Sequence, residues 1–263
     1  MVIYSHSKLS IFEQCKKKYK LKYIDKIPPE IEQTIEGYLG EKVHETLEWI
    51  YINRMQDILV SLDEAIEYYI SSWNKDYSNE IKIVNIENPP ELYFNKGVKF
   101  IIDYFTKHHP FLDNTIALEK KVYVTLDSEG KYVLQGYIDR LVHDKERNIF
   151  EVHDYKTGGS MKSQEELDKD RQLALYSIAI KQNHNNPEVR LIWHFLDFNE
   201  KRVSKRTDEE LENLRKEIIE LINKIESTID FPANPTCLCK WCEFRGYCIE
   251  GMGFESNKYD YYS

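Results

Sequence analysis

The chain has 263 residues, 31% of them Asp, Glu, Lys or Arg, and a formal net charge of −9. That length can bury a sizeable core, and no apolar run approaches the roughly 18 residues that a membrane span needs. The charge excludes wholesale basic coating of nucleic acid while leaving room for a local basic patch, and the start, Met1-Val2-Ile3-Tyr4-Ser5, lacks a basic segment followed by an apolar one, so a soluble, cytoplasmic protein is expected.

Ser5 or Ser7 can cap an amphipathic helix over 5–24 that carries Leu9, Phe12, Tyr19 and Tyr23. Lys16, Lys17, Lys18, Lys20, Lys22 and Lys26 give it the densest positive run of the chain, either a solvated face or a phosphate-contacting patch. Pro28 and Pro29 end this segment. Gly37 to about Met55 reads as a second helix, with Gly40, Val43, His44, Leu47 and Ile50 at helical spacing. His44 lies on that apolar stripe and by itself reads as a core histidine. Helices over 61–73 and about 91–107 follow, the second behind the turn Asn88-Pro89-Pro90. Residues 1–110 are therefore mainly helical scaffold.

From Thr115 the period changes to alternation. Ile116 to Leu126 is a strand, Asp127-Ser128-Glu129-Gly130 a turn, and 131–142 and 149–156 two further strands joined by a charged turn. In that hairpin Asp139 and Asp154 can lie side by side, and Asp154 and Lys156 share a face because they are two apart. Two carboxylates and an ammonium at a strand end suit a hard divalent cation that keeps waters free for chemistry. A helix from about Ser163 to Gln182 places Gln172 and Tyr176 on one face, which alone reads as a surface glutamine beside a packed tyrosine. Strands over 187–198 and 201–206 and a long amphipathic helix over 208–229 complete the pattern, with 231–235 as a joint. The expectation is one α/β domain with a central mixed sheet flanked by helices: a helical part at 1–110, a sheet core at 111–206, the long helix at 207–230 and a cysteine-rich tail at 231–263.

Five cysteines are an odd number, and four of them fall in the last 30 residues, a poor disulfide framework. Cys239, Cys242 and Cys248 make a C-x₂-C-x₅-C group that suits metal, either zinc, with Cys237 as the fourth ligand, or a [4Fe–4S] cluster.

Taken together, Leu39-Gly40-x-x-x-His44, Gly136-Tyr137-Ile138-Asp139-Arg140, Asp154-Tyr155-Lys156-Thr157-Gly158 and Gln172-Leu173-x-x-Tyr176 stand in an order that resembles the RecB-type branch of the PD-(D/E)XK nucleases. The opening Ser5-x-Ser7-x-Leu9-x-x-Phe12-x-x-Cys15 and the closing cysteine group extend the resemblance to its iron–sulfur subgroup, which includes the RecB-like CRISPR-associated nucleases and the nuclease domain of AddB.

The resemblance implies a restriction-endonuclease-like core. It makes His44, Asp139, Asp154 and the carbonyl of Tyr155 ligands of Mg²⁺ or Mn²⁺, the imidazole suiting Mn²⁺ better. Lys156 would orient or help deprotonate the attacking water and neutralise charge on the phosphate, with Gln172 and Tyr176 holding it and the DNA in register. Glu119, at a strand start where the family often has a glutamate, is a weaker candidate for the rim. Asp154 stands where many relatives use glutamate, and Glu151 is out of register for the motif.

Cys15, Cys239, Cys242 and Cys248 would hold the [4Fe–4S] cluster as a clasp between the chain ends, leaving Cys237 spare. The implied activity is metal-dependent exonucleolytic hydrolysis of single-stranded DNA or DNA ends, in recombination and repair, phage DNA processing or CRISPR adaptation, with a helicase or an adaptation factor as a possible partner. Lys17, Lys18, Lys20 and Lys22 are candidates for phosphate contact, and no base-reading module is present. The competing expectation is a non-catalytic nucleic-acid-binding or assembly subunit, which the full set His44, Asp139, Asp154 and Lys156 disfavours.

Overall fold

A computed structural model describes residues 3–253, so the last part of the cysteine-rich tail, 254–263, lies outside the described residues. The chain opens with β1 (Ile3–Ser5), too short to show a period in the sequence, and Ser5 then caps α1 (His6–Gln14) by accepting from the Lys8 N–H. The single helix expected over 5–24 is broken. Cys15 is extended (φ −157°, ψ 110°), and α2 (Lys16–Tyr19) restarts behind it before a π-helical turn at Lys20–Ile24. The break is stabilised from far along the chain, since the Lys17 N–H donates to Pro232 O at 3.1 Å and Asn234 Nδ2 donates to Gln14 O at 2.9 Å. The joint expected at 231–235 is thereby tied down on the N-terminal helices.

Three helices follow: α3 (Ile35–Met55), capped by Thr34; α4 (Leu62–Asp76), with a Ser61/Glu64 capping box; and α5 (Pro90–His108), with proline at its first position. The sheet comprises β1, β2 (Thr115–Thr125), β3 (Val133–Asp144), β4 (Ile149–Lys156), β5 (Glu188–Phe195) and β6 (Glu200–Lys205). It is mixed: β1 runs parallel to β3 and β4 to β5, while the β2–β3, β3–β4 and β5–β6 pairs are antiparallel. Between β4 and β5 the expected single helix is two, α6 (Gln164–Asp168) and α7 (Arg171–Asn183). Asp170 caps α7, and Arg206 donates to Leu167 O and Asp170 O at 2.7 and 3.2 Å, so the interruption leaves those carbonyls paired. The helix α8 (Asp208–Ser227) starts on a Thr207/Glu210 capping box, and α9 (Ile249–Met252) closes the described tail.

The helices form two layers. Leu9 and Phe12 of α1, Leu173 and Ile178 of α7 and Leu211, Ile218 and Ile222 of α8 pack with Val152, Leu191 and Trp193 in one core. Leu39, Val43 and Leu47 of α3, Tyr69 of α4 and Phe100 of α5 pack with Tyr155 in the other. This is the mixed sheet between helices that the sequence led us to expect. Among the described residues no helix is long and apolar enough to cross a membrane.

Two irregularities of the sheet shape the site. The pairing of β4 with β3 ends at His153↔Arg140, whereas its pairing with β5 continues to Lys156↔Phe195. The end of β4 thus peels away from β3 and opens a fork. In β3, Ile138 and Leu141 lie in the same core although three residues apart, so the in–out alternation changes phase at Asp139. Glu119, facing that point from β2, adopts a left-handed backbone (φ 42°), an unusual conformation for a non-glycine residue inside a strand.

Candidate active site

Peeling β4 away from β3 leaves the backbone of Tyr155 without a ladder partner, and buried amides need one. Two side chains supply it. The Tyr155 N–H donates to Asp139 Oδ2 at 2.9 Å, and the Tyr155 carbonyl lies 2.9 Å from His44 Nε2. His44 reaches the fork because α3 comes close to the end of β4: a Cβ at Gly40, one turn before His44, would stand 3.1 Å from Thr157 Oγ1. His44 Nδ1 is also 3.5 Å from Asp139 Oδ2. The histidine that alone read as a core residue is half-exposed and turned into the fork.

On the other wall, Lys156 Nζ lies 3.0 Å from Asp154 Oδ1 and 2.7 Å from Oδ2, and 3.3 Å from Gln172 Oε1. Gln172 Nε2 donates to Asp154 Oδ1 at 3.2 Å, closing a triangle of carboxylate, ammonium and amide. The hydrogen bond of Lys156 goes to Oδ1, so buried Oδ2 has a charge neighbour and no aligned donor. Tyr176, four residues after Gln172, packs its ring against Gly136, where any Cβ would overlap it. The glycines of two motifs therefore have a steric cause: Gly136 admits Tyr176, and Gly40 admits the strand end.

The electrostatics favour a cation. Burial, with the Asp154 charge adding to it, pushes the Asp139 carboxyl up to about 7 against the opposing pull of His44 and the Tyr155 N–H. Burial likewise raises Glu119, with Glu48 and Asp154 reinforcing it and His44 opposing. For Lys156 burial works against the charge, but Asp154, by charge and hydrogen bond, outweighs it and holds the ammonium above its ordinary value.

Ligand atoms of His44, Glu119 and Asp139 lie within 4.8 Å of one another, a set that could hold a metal ion. The crowding of partly desolvated carboxylates and the unaligned oxygen of Asp154 fit a divalent cation here. Glu119, only a rim candidate in the sequence, is thus one of the three. Register could have located it, since the pairs Leu118↔Arg140 and Lys120↔Ile138 put Glu119 opposite Asp139. Asp154 sits behind this trio, engaged by Lys156 and Gln172. Glu151, which the motif spacing left out, points to the opposite side of the sheet, 3.2 Å from His153 Nε2.

Cys15, Cys239, Cys242 and Cys248 line one cavity of about 70 Å³, whose lining does not include Cys237. Backbone N–H groups point at its sulfurs: Lys18 at Cys15, Thr236 at Cys239 and Gly251 at Cys248, at 3.5, 3.4 and 3.3 Å. Burial pushes the Cys242 and Cys248 thiols up, so thiolates there need a cation beside them.

Four of the six lysines of the basic run are ion-paired. Lys17 pairs with Glu250 (2.7 Å), Lys18 and Lys22 with Glu243 (2.6 and 3.0 Å), and Lys20 with Asp25 (3.5 Å). Three of these four pairs are with Glu243 and Glu250 of the tail.

Among solved structures, SSO0001 is similar to this chain at 15% sequence identity and a TM-score of 0.39, covering 81% of this chain and 94% of the other, a likeness too weak to carry an argument. No curated protein matches. The family model of the PD-(D/E)XK nuclease superfamily, whose members are metal-dependent nucleases, matches residues 3–249. A match over nearly the whole chain, on a sheet that brings His44, Glu119 and Asp139 together beside Asp154 and Lys156, places this protein in the PD-(D/E)XK nuclease superfamily.

Proposed function

We propose that the chain is a cytoplasmic exonuclease of the RecB-like branch that hydrolyses single-stranded DNA or DNA ends, with Mg²⁺ or Mn²⁺ held by His44, Glu119, Asp139 and Asp154 and by the Tyr155 carbonyl. The observation that carries this reading is the fork, where the ligand trio faces an ammonium fixed by a carboxylate and an amide. When bound, the cation supplies a Lewis acid for developing charge and a nucleophile near neutral pH. The residues do the positioning. Lys156 presents a positive charge toward the scissile phosphate and orients the attacking water. Gln172 and Asp154 fix that ammonium, and Tyr176, packed on Gly136, sets the helix that carries Gln172.

The test is degradation of end-labelled linear single-stranded DNA, a circular single strand and blunt duplex, with Mn²⁺, Mg²⁺ or chelator. Linear single strands should disappear only with metal while the circle persists. Cutting of the circle at a comparable rate would replace exonuclease by endonuclease, and metal-independent loss would remove the fork from the chemistry.

The second element of the proposal is a structural [4Fe–4S] cluster on Cys15, Cys239, Cys242 and Cys248. The N–H groups aimed at three of the sulfurs suit thiolates that share their charge with iron. Zinc fits less well. Its fourth ligand would be Cys237, which does not line the cavity shared by Cys15, Cys239, Cys242 and Cys248. Protein purified without oxygen should carry about four irons per chain and visible thiolate–iron absorption. Cys15→Ser should lose both and unfold at lower temperature, because that ligand closes the loop between the chain ends. A colourless protein with one zinc per chain would refute the cluster.

A further inference from the structure

Beside the fork, the ribbon of β2 and β3 has a solvent face that none of the roles above uses. Its inner face is core, formed by Val122, Val124, Leu134 and Ile138. Its outer face carries Lys121, Tyr123 and Tyr137. Lys121 and Tyr137 are direct cross-strand partners, and Tyr123 lies two residues after Lys121 on the same side. Tyr123 and Tyr137 are 49% and 50% exposed and lie side by side on this face. The Lys121 ammonium lies 5.2 Å from the Tyr123 ring centre and 5.9 Å from that of Tyr137, beside both rings.

The position of the patch gives it meaning. Tyr137 stands two residues before Asp139, and Lys121 two residues after Glu119, so the patch begins where the ligand trio ends. A step of two residues along a strand spans about 6.8 Å, which reaches the nucleotide adjoining a phosphate held at the trio.

We propose that Tyr123, Lys121 and Tyr137 form a stacking platform for unpaired bases of the DNA strand entering the fork, with the Lys121 ammonium on the neighbouring phosphate. The proposal rests on the single-stranded DNA reading above. Every base offers a π-face, so stacking on tyrosine is indifferent to sequence. A base inside a duplex has both faces covered and cannot use the platform. The patch therefore selects unpaired strands, and these three are positioning residues that touch none of the reacting atoms.

The test measures binding of a fluorescent single-stranded oligonucleotide, with Ca²⁺ in place of the catalytic metal. The double variant Tyr123→Ala/Tyr137→Ala should weaken binding at least about tenfold, since each stacked base contributes measurably. In turnover the loss should fall on KM rather than on kcat. The double variant Tyr123→Phe/Tyr137→Phe, which keeps both rings, should retain wild-type affinity. With the wild-type protein, an oligonucleotide carrying 5-iodouridine should photo-crosslink to Tyr123 or Tyr137, a readout that stands even if the alanine variant does not fold. Unchanged affinity of a folded alanine variant, or crosslinks confined to other residues, would overturn the platform while leaving the nuclease assignment intact. A wild-type protein that degrades only duplex DNA would overturn the platform and the single-strand reading together.

Discussion

Replacing Lys156 by methionine is expected to lower the rate of DNA hydrolysis by about 10³-fold, the scale of losing one preorganised charge at a developing anion. The structure makes the side chain hard to replace. Its ammonium is fixed by Asp154 on its own strand and by Gln172 on α7. Methionine keeps most of the length and the packing of the stem while removing the charge. Arginine would keep the charge, but its planar fork does not fit a site built for one compact ammonium, so Lys156→Arg should recover only part of the rate. Single-turnover degradation of a labelled strand with saturating Mn²⁺, alongside circular dichroism to verify folding, measures the effect. A folded Lys156→Met protein within tenfold of wild type would take Lys156 out of the chemistry.

The second large effect concerns stability and acid. On the α3–α5 side of the sheet, Arg140 is fully buried: its side chain donates to the Tyr155 hydroxyl, pairs with Asp113 at 2.8 Å and lies over the Tyr51 ring. It also faces His153, which lies 2.9 Å from His194, with His108 stacked beside Tyr104. Burial, then the Arg140 charge, lowers His108 to about 4. Burial holds His153 and His194 well below their ordinary value, with Arg140 and the neighbouring histidine charges adding to it.

These imidazoles are neutral in the folded chain, whereas the unfolded chain takes up one proton on each below about pH 6.5. The folded state is therefore undiminished above that pH and loses stability as pH falls toward the folded values. Three such groups give a slope of up to about 4 kcal/mol per pH unit. His6, lowered to about 4 chiefly by burial, adds a fourth, and Asp139, raised to about 7, opposes it with a similar slope. Urea unfolding at about pH 7 and pH 5.5 should differ by several kcal/mol, and His194→Phe should flatten the dependence. A stability unchanged over that interval would show that the cluster opens to solvent without cost.

The same network explains why the fork has its shape. Tyr155 sends its hydroxyl to Arg140 and Tyr104 on one side of the strand while its backbone serves Asp139 and His44. The buried charge anchors the residue whose carbonyl faces the proposed metal.

Much of this protein is legible in its sequence. Period and turn residues gave the β3–β4 hairpin, because a short turn fixes register locally, but its ladder stops at Arg140↔His153, one pair short of Asp139 and Asp154. Residue spacing placed Lys156 with Asp154 and Gln172 with Tyr176, since both pairs lie within single elements. Other features depended on contacts between distant segments. His44 reads as a core residue until α3 meets the end of β4, and Glu119 becomes a ligand candidate only through its register with Asp139. The helix over 5–24 has an unbroken pattern, yet it breaks at Cys15 because residues 231–235 satisfy its backbone. The lysines left a solvated face and a phosphate patch equally open, and their ion pairs with Glu243 and Glu250 appear only once the tail folds back on them. Local geometry is fixed by spacing along one chain segment, whereas burial, backbone satisfaction and charge pairing depend on what another segment brings, and only the tertiary structure decides that.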